Sequence, residues 1–124
     1  MKFLCVCEMG SVRSGAMALA LKNYGASDTL QCGWRSGSPE TLRMLTTWAD
    51  AIVVMQPEMI DLLTEKIGAF DYDKILVIDV GPDIYGHPMH ATLIQYLWPI
   101  VEDWKLKEWR LVSATGKALP LVRP

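Results

Sequence analysis

The stretch KFLCVCEMGSVRS, residues 2–14, joins an apolar run to a loop and the start of a helix-like segment. Residues 2–7 form a short, mostly apolar run bounded by a loop that contains Gly10, which is typical of a buried strand. The next segment, SGAMALALKNY over residues 14–24, is rich in good helix formers and stops before Gly25, a residue type that commonly follows a helix C-terminus. The two segments predict a strand, a tight loop and a helix, which together form one βα unit.

The same alternation of strand-like and helix-like segments continues along the chain. Because the strand-like runs lack polar alternation, they indicate a sheet that is covered on both faces. Four strands alternating with four helices predict a single three-layer α/β domain with a parallel sheet and right-handed crossovers. The remaining strands are predicted over residues 28–32, 51–55 and 74–79, and the remaining helices over residues 39–48 (after a Ser38 N-cap), 57–67 (stopping at Gly68) and 88–109.

The last segment, LVSATGKALPLVRP over residues 111–124, has no helical spacing and contains two prolines. We therefore expect an extended C-terminal arm. The predicted organisation is an α/β domain over residues 1–110, followed by this arm.

The composition limits the partners that the protein can have. The 124 residues carry a net charge of −2 at pH 7. The chain therefore lacks the excess of positive charge that is typical of proteins that bind duplex nucleic acid or a membrane surface. No apolar run approaches the ~20 residues that a bilayer requires. Cys5, Cys7 and Cys32 are an odd number of cysteines in a chain without a secretory leader, which favours reduced thiols and a cytoplasmic location.

The residues that carry chemistry follow the strands, at the sheet edge where parallel α/β folds bind ligands. Cys7 ends the first strand, and the loop after it leads into a helix N-terminus. Backbone N–H groups and the helix dipole favour a thiolate at such a position, and the same groups bind a phosphate dianion. Arg13 can form two parallel N–H bonds to phosphate oxygens, Ser14 can donate its hydroxyl to the sulfur, and Gly10 gives the curl its backbone freedom.

The C-x5-R-S pattern directly after the first strand resembles the signature loop of the low-molecular-weight protein tyrosine phosphatases. Three further segments resemble that family in the same order. The resemblance implies a sheet of strand order 2-1-3-4 and a phosphoric monoester hydrolase that uses neither a cofactor nor a metal. The three segments are RSGS at residues 35–38, WADAIVVM at residues 48–55 and KILVIDVGPDIYG at residues 74–86, where the family carries its acidic loop.

The resemblance also implies a role for each site residue. Cys7 is the nucleophile that forms a phosphocysteine, Arg13 binds the phosphate and Ser14 stabilises the thiolate as leaving group. Asp83 is the first choice for the general acid, and Asp79, at the end of the fourth strand, is the second. The phosphate-binding loop comprises Glu8, Met9, Gly10, Ser11 and Val12, while Trp34 and Tyr85 are expected to form walls for an aromatic leaving group.

The implied partners are a phosphorylated protein, with phosphotyrosine as the reacting group, or a small phosphomonoester such as a nucleotide-like one. Inorganic phosphate or sulfate is the expected bound anion. The loop departs from the family at two places, because Gly10 stands where the family typically has asparagine and Val12 where it often has a second cysteine. The acidic loop reads GPDIYG rather than Asp-Pro followed by aromatic residues.

Four other interpretations of these residues stay open. One is a phosphate-binding module with little turnover. Another is a thiol-dependent arsenate reductase, which is disfavoured because no cysteine follows Cys32 to complete a disulfide relay. A third is a redox pair of Cys5 and Cys32 on neighbouring strands, and a fourth is a metal site formed by His87 and His90 with Cys5 and Cys7. Arg35 is either an exposed charge or a substrate contact.

Overall fold

The structure, a computed structural model, describes residues 1–120. Strands and helices alternate along this part of the chain, as the sequence predicts. No helix within it is both long and apolar enough to cross a membrane. The strands are β1 (Phe3–Cys7), β2 (Thr29–Gly33), β3 (Ala51–Val54) and β4 (Ile75–Val77), and the helices are α1 (Arg13–Asn23), α2 (Pro39–Trp48), α3 (Met59–Ile67) and α4 (Ala91–Leu106).

The four strands form one parallel sheet of order β2-β1-β3-β4, which confirms the predicted topology. The register aligns Val6 with Cys32 on one side and with Val54 on the other. Val54 is in turn aligned with Val77 of β4. The carboxyl ends of all four strands therefore meet at one edge of the sheet, and the loops that follow them lie side by side.

Every residue of the two central strands β1 and β3 is buried, because helices cover both faces of the sheet. Helices α1 and α4 pack together, and α2 packs with α3, which produces three layers. At the amino end of β1, Phe3 stacks on Trp104 of α4 with ring centroids 6.3 Å apart. Ser38 caps α2 by accepting a hydrogen bond from the Thr41 N–H at 3.2 Å, as predicted.

Five elements are shorter in the structure than the sequence predicts: β1, β3, β4, α3, which begins at Met59 and not at residue 57, and α4. The differences at β4 and α4 have clear physical reasons. Lys74 belongs to a short 3₁₀ turn (Tyr72–Lys74), so β4 begins only at Ile75. The last helix ends at Leu106, because Trp109 adopts a positive φ of 60° and turns back to pack on Phe3 at 5.7 Å. Apolar spacing marks which residues face the core, and it continues past the point where the helical backbone ends.

The segment predicted as an arm folds back on itself over its described part. Val112 forms an antiparallel bridge with Ala118, and the Ala114 N–H donates to the carbonyl of Ile75 in β4 at 2.8 Å. Leu111 and Leu119 are buried. Residues 111–120 therefore pack against the edge of the sheet, while residues 121–124 of the predicted arm lie outside the described residues.

Candidate active site

The loop over residues 8–12 connects β1 to α1, and its carbonyl groups are turned outward. Four consecutive carbonyls, from Cys7 to Gly10, accept hydrogen bonds from β2 or from the segment that follows β2. The donors are Trp34 N–H to Cys7 at 2.9 Å, Arg35 N–H to Glu8 at 3.0 Å, Ser36 Oγ to Met9 at 2.9 Å and Gln31 Nε2 to Gly10 at 2.8 Å.

One backbone amide of the loop contacts the sulfur of Cys7. The N–H of Gly10 donates to Cys7 Sγ at 3.2 Å. A backbone N–H that donates to sulfur favours the thiolate form of the cysteine. Ser11 is exposed, and Val12, the residue before α1, is partly buried.

Position 10 requires glycine for two reasons, the conformation of its backbone and the lack of space for a side chain. Its φ is +79°, in the left-handed region, and a Cβ atom there would lie 2.5 Å from the backbone nitrogen of Gly33. Glycine takes this conformation without cost, and asparagine is among the residues that best tolerate it. The departure from the family's asparagine therefore preserves the left-handed turn, and the absence of a side chain also lets β2 approach the loop.

Cys7 is almost fully buried, and its sulfur has a second polar neighbour. Ser14, in the first turn of α1, places Oγ 3.1 Å from Cys7 Sγ. Because a hydroxyl rotates freely, Ser14 can donate to a thiolate or accept from a thiol. The structure thus brings together the predicted nucleophile and the predicted hydroxyl.

Arg13 is the largest fully buried polar side chain of the site, at 1% exposure. Its Nη1 donates to Gln56 Oε1 at 2.6 Å and to the carbonyl of Gly81 at 2.8 Å. Its Nε is buried and has no hydrogen-bond partner among residues 1–120. Buried donors in folded proteins are nearly always paired, so this edge of the guanidinium is suited to an anionic ligand.

The two candidate acids occupy different positions. Asp83 Oδ1 lies 4.0 Å from Arg13 Nε, beside the unpartnered edge of the guanidinium. Asp79 Oδ1 instead accepts the N–H of Gly81 at 2.9 Å and holds the turn that follows β4. Asp83 is therefore the candidate acid that lies beside Arg13, whereas Asp79 makes a local contact within its own turn.

The predicted walls are held in place by their neighbours. The Arg35 guanidinium lies over the Trp34 ring, 5.0 Å from its centroid, and its Nε is 2.7 Å from Glu8 Oε1. On the acidic-loop side, the Tyr85 hydroxyl donates to the carbonyl of Val80 at 2.6 Å. Met9 is half exposed, so it adds apolar surface to the loop.

The environment of the other two cysteines disfavours their thiolate forms. Burial raises the pKa of Cys5 far above its ordinary value, and burial together with nearby Cys7 raises the pKa of Cys32 to about 12. Cys32 is aligned with Val6, so its side chain lies on the opposite face of the sheet from Cys5. The pairing of Cys5 with Cys32 as a redox couple is therefore not supported by the register.

The histidines of the metal interpretation have other contacts. His87 Nδ1 accepts the Met89 N–H at 2.9 Å, and His90 Nδ1 accepts the Thr92 N–H at 3.2 Å. Within residues 1–120, no three His, Cys, Asp or Glu side chains come together in a group that could hold a metal ion.

Sequence reasoning missed four residues that support the site: Gln31, Ser36, Gln56 and Gly81. Gln56 and Gly81 are in the loops after β3 and β4, at the edge where the polar residues were predicted to gather. Their position at this edge was the sequence signal that could have identified these two residues. The partners of each side chain could not be read from the sequence, because they lie in segments that are distant in the chain.

Comparisons with known proteins agree with this architecture. No protein-family model matches the chain, and no curated protein matches it at a significant level. Among solved structures, a protein tyrosine phosphatase aligns with a TM-score of 0.63 and 15% identity, covering 90% of this chain and 98% of its own. Wzb of Vibrio vulnificus, solved in complex with benzylphosphonate, aligns with a TM-score of 0.63 and 17% identity, covering 86% of this chain and 97% of its own.

A third structure is a low-molecular-weight protein tyrosine phosphatase from Bacillus subtilis, with a TM-score of 0.64 and 15% identity. The alignment covers 87% of this chain and 99% of that one. The three alignments each cover at least 86% of this chain, so the likeness extends through nearly the whole domain. The chain therefore has the fold of the low-molecular-weight protein tyrosine phosphatases.

Proposed function

We propose that the protein is a cysteine-dependent phosphatase that hydrolyses phosphomonoesters in the cytoplasm, with phosphotyrosine or another aryl phosphate as substrate. One observation carries the proposal: the buried guanidinium of Arg13 leaves Nε without a partner among residues 1–120, in a site that also contains Cys7. A phosphate dianion supplies oxygen acceptors for that edge and a charge opposite to that of the arginine.

In the first step, the Cys7 thiolate attacks the phosphorus atom. A sulfur–phosphorus bond forms while the bond between phosphorus and the leaving oxygen breaks. Arg13 and the backbone amides of the loop stabilise the charge on the equatorial oxygens. Asp83, in its protonated form, transfers its proton to the departing phenoxide or alkoxide.

In the second step, water attacks the phosphocysteine. Asp83, now a carboxylate, accepts a proton from the water as its oxygen bonds to phosphorus. The sulfur–phosphorus bond breaks, inorganic phosphate is released, and the Cys7 thiolate is regenerated with Ser14 as its hydrogen-bond partner.

The preference for an aryl group rests on two supports. Trp34 and Tyr85 lie in the segments that follow β2 and β4, at the same edge of the sheet as Cys7. The structurally similar Wzb protein was solved with benzylphosphonate, a phosphonate that carries an aromatic ring. Aromatic side chains bind such rings by stacking, with roughly 0.5–1.5 kcal/mol per pair.

The test is hydrolysis of p-nitrophenyl phosphate and phenyl phosphate between pH 5 and 8, in reducing buffer without added metal. We expect Cys7→Ser to be inactive and Asp83→Ala to be slowed by about 10²–10⁴-fold on phenyl phosphate. The loss on p-nitrophenyl phosphate should be smaller, because nitrophenolate is a better leaving group and needs less protonation.

Asp79→Ala is the matched comparison for the acid. A substrate-dependent loss at Asp79 instead of Asp83 would transfer the general-acid role to Asp79. If the wild-type protein binds phosphate but turns over no faster than Cys7→Ser, the catalytic proposal is wrong and the protein is a phosphate-binding module.

A further inference from the structure

We propose that Gln56 is a positioning residue of this site, which orients Arg13 through a neutral acceptor and leaves the arginine's positive charge for the substrate. This inference rests on the proposed function, because it concerns the same anion site. Gln56 directly follows Met55, after β3. Its contact with Arg13, at 2.6 Å, is the shortest that the guanidinium makes among residues 1–120.

The contact fixes which edge of the guanidinium faces the ligand. Arginine carries donors only, so the oxygen of the Gln56 amide must be the atom that faces Nη1. The Gly81 carbonyl accepts from the same nitrogen at 2.8 Å. With Nη1 occupied by these two oxygens, the planar group is held in one orientation, and Nε and Nη2 are left for a bidentate contact with phosphate.

The backbone that leads into Gln56 is anchored to β1. Val54, at the end of β3, is aligned with Val6, one residue before Cys7. In addition, the Met55 N–H donates to the carbonyl of Val6 at 3.1 Å. The residue before Gln56 is therefore hydrogen-bonded to the end of β1, the strand that carries Cys7.

The neutrality of Gln56 matters as much as its position. Asp83, at 4.0 Å, is the one carboxylate within ion-pair distance of Arg13 in the described part of the chain. Both groups that hold Nη1 are uncharged oxygens. A carboxylate at position 56 would compensate the buried cation before any ligand arrives, and would repel a phosphate dianion in a region of low dielectric constant.

Two substitutions separate position from charge. Gln56→Met keeps the approximate volume of the side chain but removes the acceptor, so Arg13 loses one of its two anchors. Gln56→Glu keeps an oxygen at the same distance but adds a negative charge. The amide is partly buried, so the folding of both variants is checked by thermal unfolding.

The experiment measures kcat and KM for p-nitrophenyl phosphate and the inhibition constant of inorganic phosphate. For Gln56→Met we expect kcat to fall roughly tenfold or more, the range for a lost hydrogen bond to a charged group. For Gln56→Glu we expect the inhibition constant of phosphate to rise at least tenfold, with a smaller loss of kcat. Gln95→Met, on the exposed face of α4, is the control and should match the wild type.

Equal kcat for Gln56→Met and Gln95→Met would overturn the positioning role. Equal phosphate affinity for Gln56→Glu and the wild type would overturn the charge argument. Phosphate binding is also measured by calorimetry, independently of turnover. If the wild type binds phosphate without turnover, the proposed function fails while the effect of Gln56→Glu on binding still tests this inference.

Discussion

At Gly10, the conformation of the backbone and the space around it impose the same requirement. The residue has φ +79°, and its Cα faces the backbone of Cys32 and Gly33 in β2. Neither group can move without disturbing the strand that anchors the phosphate loop. The residue is therefore a point where sequence, loop conformation and sheet packing depend on each other.

We predict that Gly10→Ala destabilises the fold by more than the ~1–3 kcal/mol expected for left-handed strain, and that it abolishes phosphate binding. The reason is that a Cβ would lie 2.5 Å from Gly33 N and 2.7 Å from the carbonyl carbon of Cys32. Urea unfolding and calorimetric titration with phosphate measure the two effects.

Gly68→Ala is the matched control, because Gly68 has a similar φ of +83° and an added methyl group would meet no described atom within 4 Å. It isolates the conformational cost from the steric cost. Equal destabilisation by the two substitutions would show that the contact with β2 is unimportant.

At the level of the element, the start of α4 depends on a histidine rather than on the usual serine, threonine or aspartate. His90 accepts the Thr92 N–H through Nδ1, and its ring lies edge-on to Tyr85 with centroids 5.3 Å apart. The same side chain thus caps a helix and packs against the acidic loop. The stability of the helix start and the position of the predicted wall are linked through it.

We predict that His90→Ala lowers the free energy of unfolding by about 0.5–2 kcal/mol, the usual cost of a lost N-cap. It should also raise KM for aryl phosphates, because Tyr85 loses its packing partner. Asparagine is a good N-cap, so His90→Asn should restore most of the stability but not the KM. Urea unfolding and steady-state kinetics separate the two, and identical stability of the alanine and asparagine variants would contradict the capping role.

For the whole molecule, the raised pKa values of two cysteines make the stability of the fold depend on pH in the alkaline range. Burial, with a contribution from Cys7, raises the pKa of Cys32 from 9.0 to about 12 in the folded state. The unfolded chain ionises this thiol near its ordinary value. The contribution of Cys32 to stability is therefore complete below about pH 9 and is lost as the pH rises towards 12.

We predict that the melting temperature falls between pH 9 and about pH 11, below the raised pKa, and that Cys32→Ala makes this fall shallower. Comparing the two proteins by calorimetry across this range removes the shared contributions of lysine and tyrosine. An identical slope for the two proteins would contradict the linkage. Cys5→Ala is a second test, because burial also raises the pKa of Cys5.

Local sequence signals predict the order of the elements and the place of Cys7. Apolar runs, helix formers, Ser38 and the stop at Gly25 are local signals, and local signals determine local conformation. The position of Cys7 between the first strand and the first helix is equally local. For this reason the loop between β1 and α1 and the parallel α/β fold could be predicted from the chain alone.

The side chains that support that loop are brought to it by the fold and not by the local sequence. Gln56 and Gly81 reach Arg13 across 43 and 68 residues of chain, and Gln31 reaches Gly10 across 21. The ends of the last helix and of the fourth strand were likewise set by packing at Trp109 and by the turn at Lys74. Such contacts depend on strand register and on the space between elements, which no short segment encodes, because both arise when the whole sheet assembles.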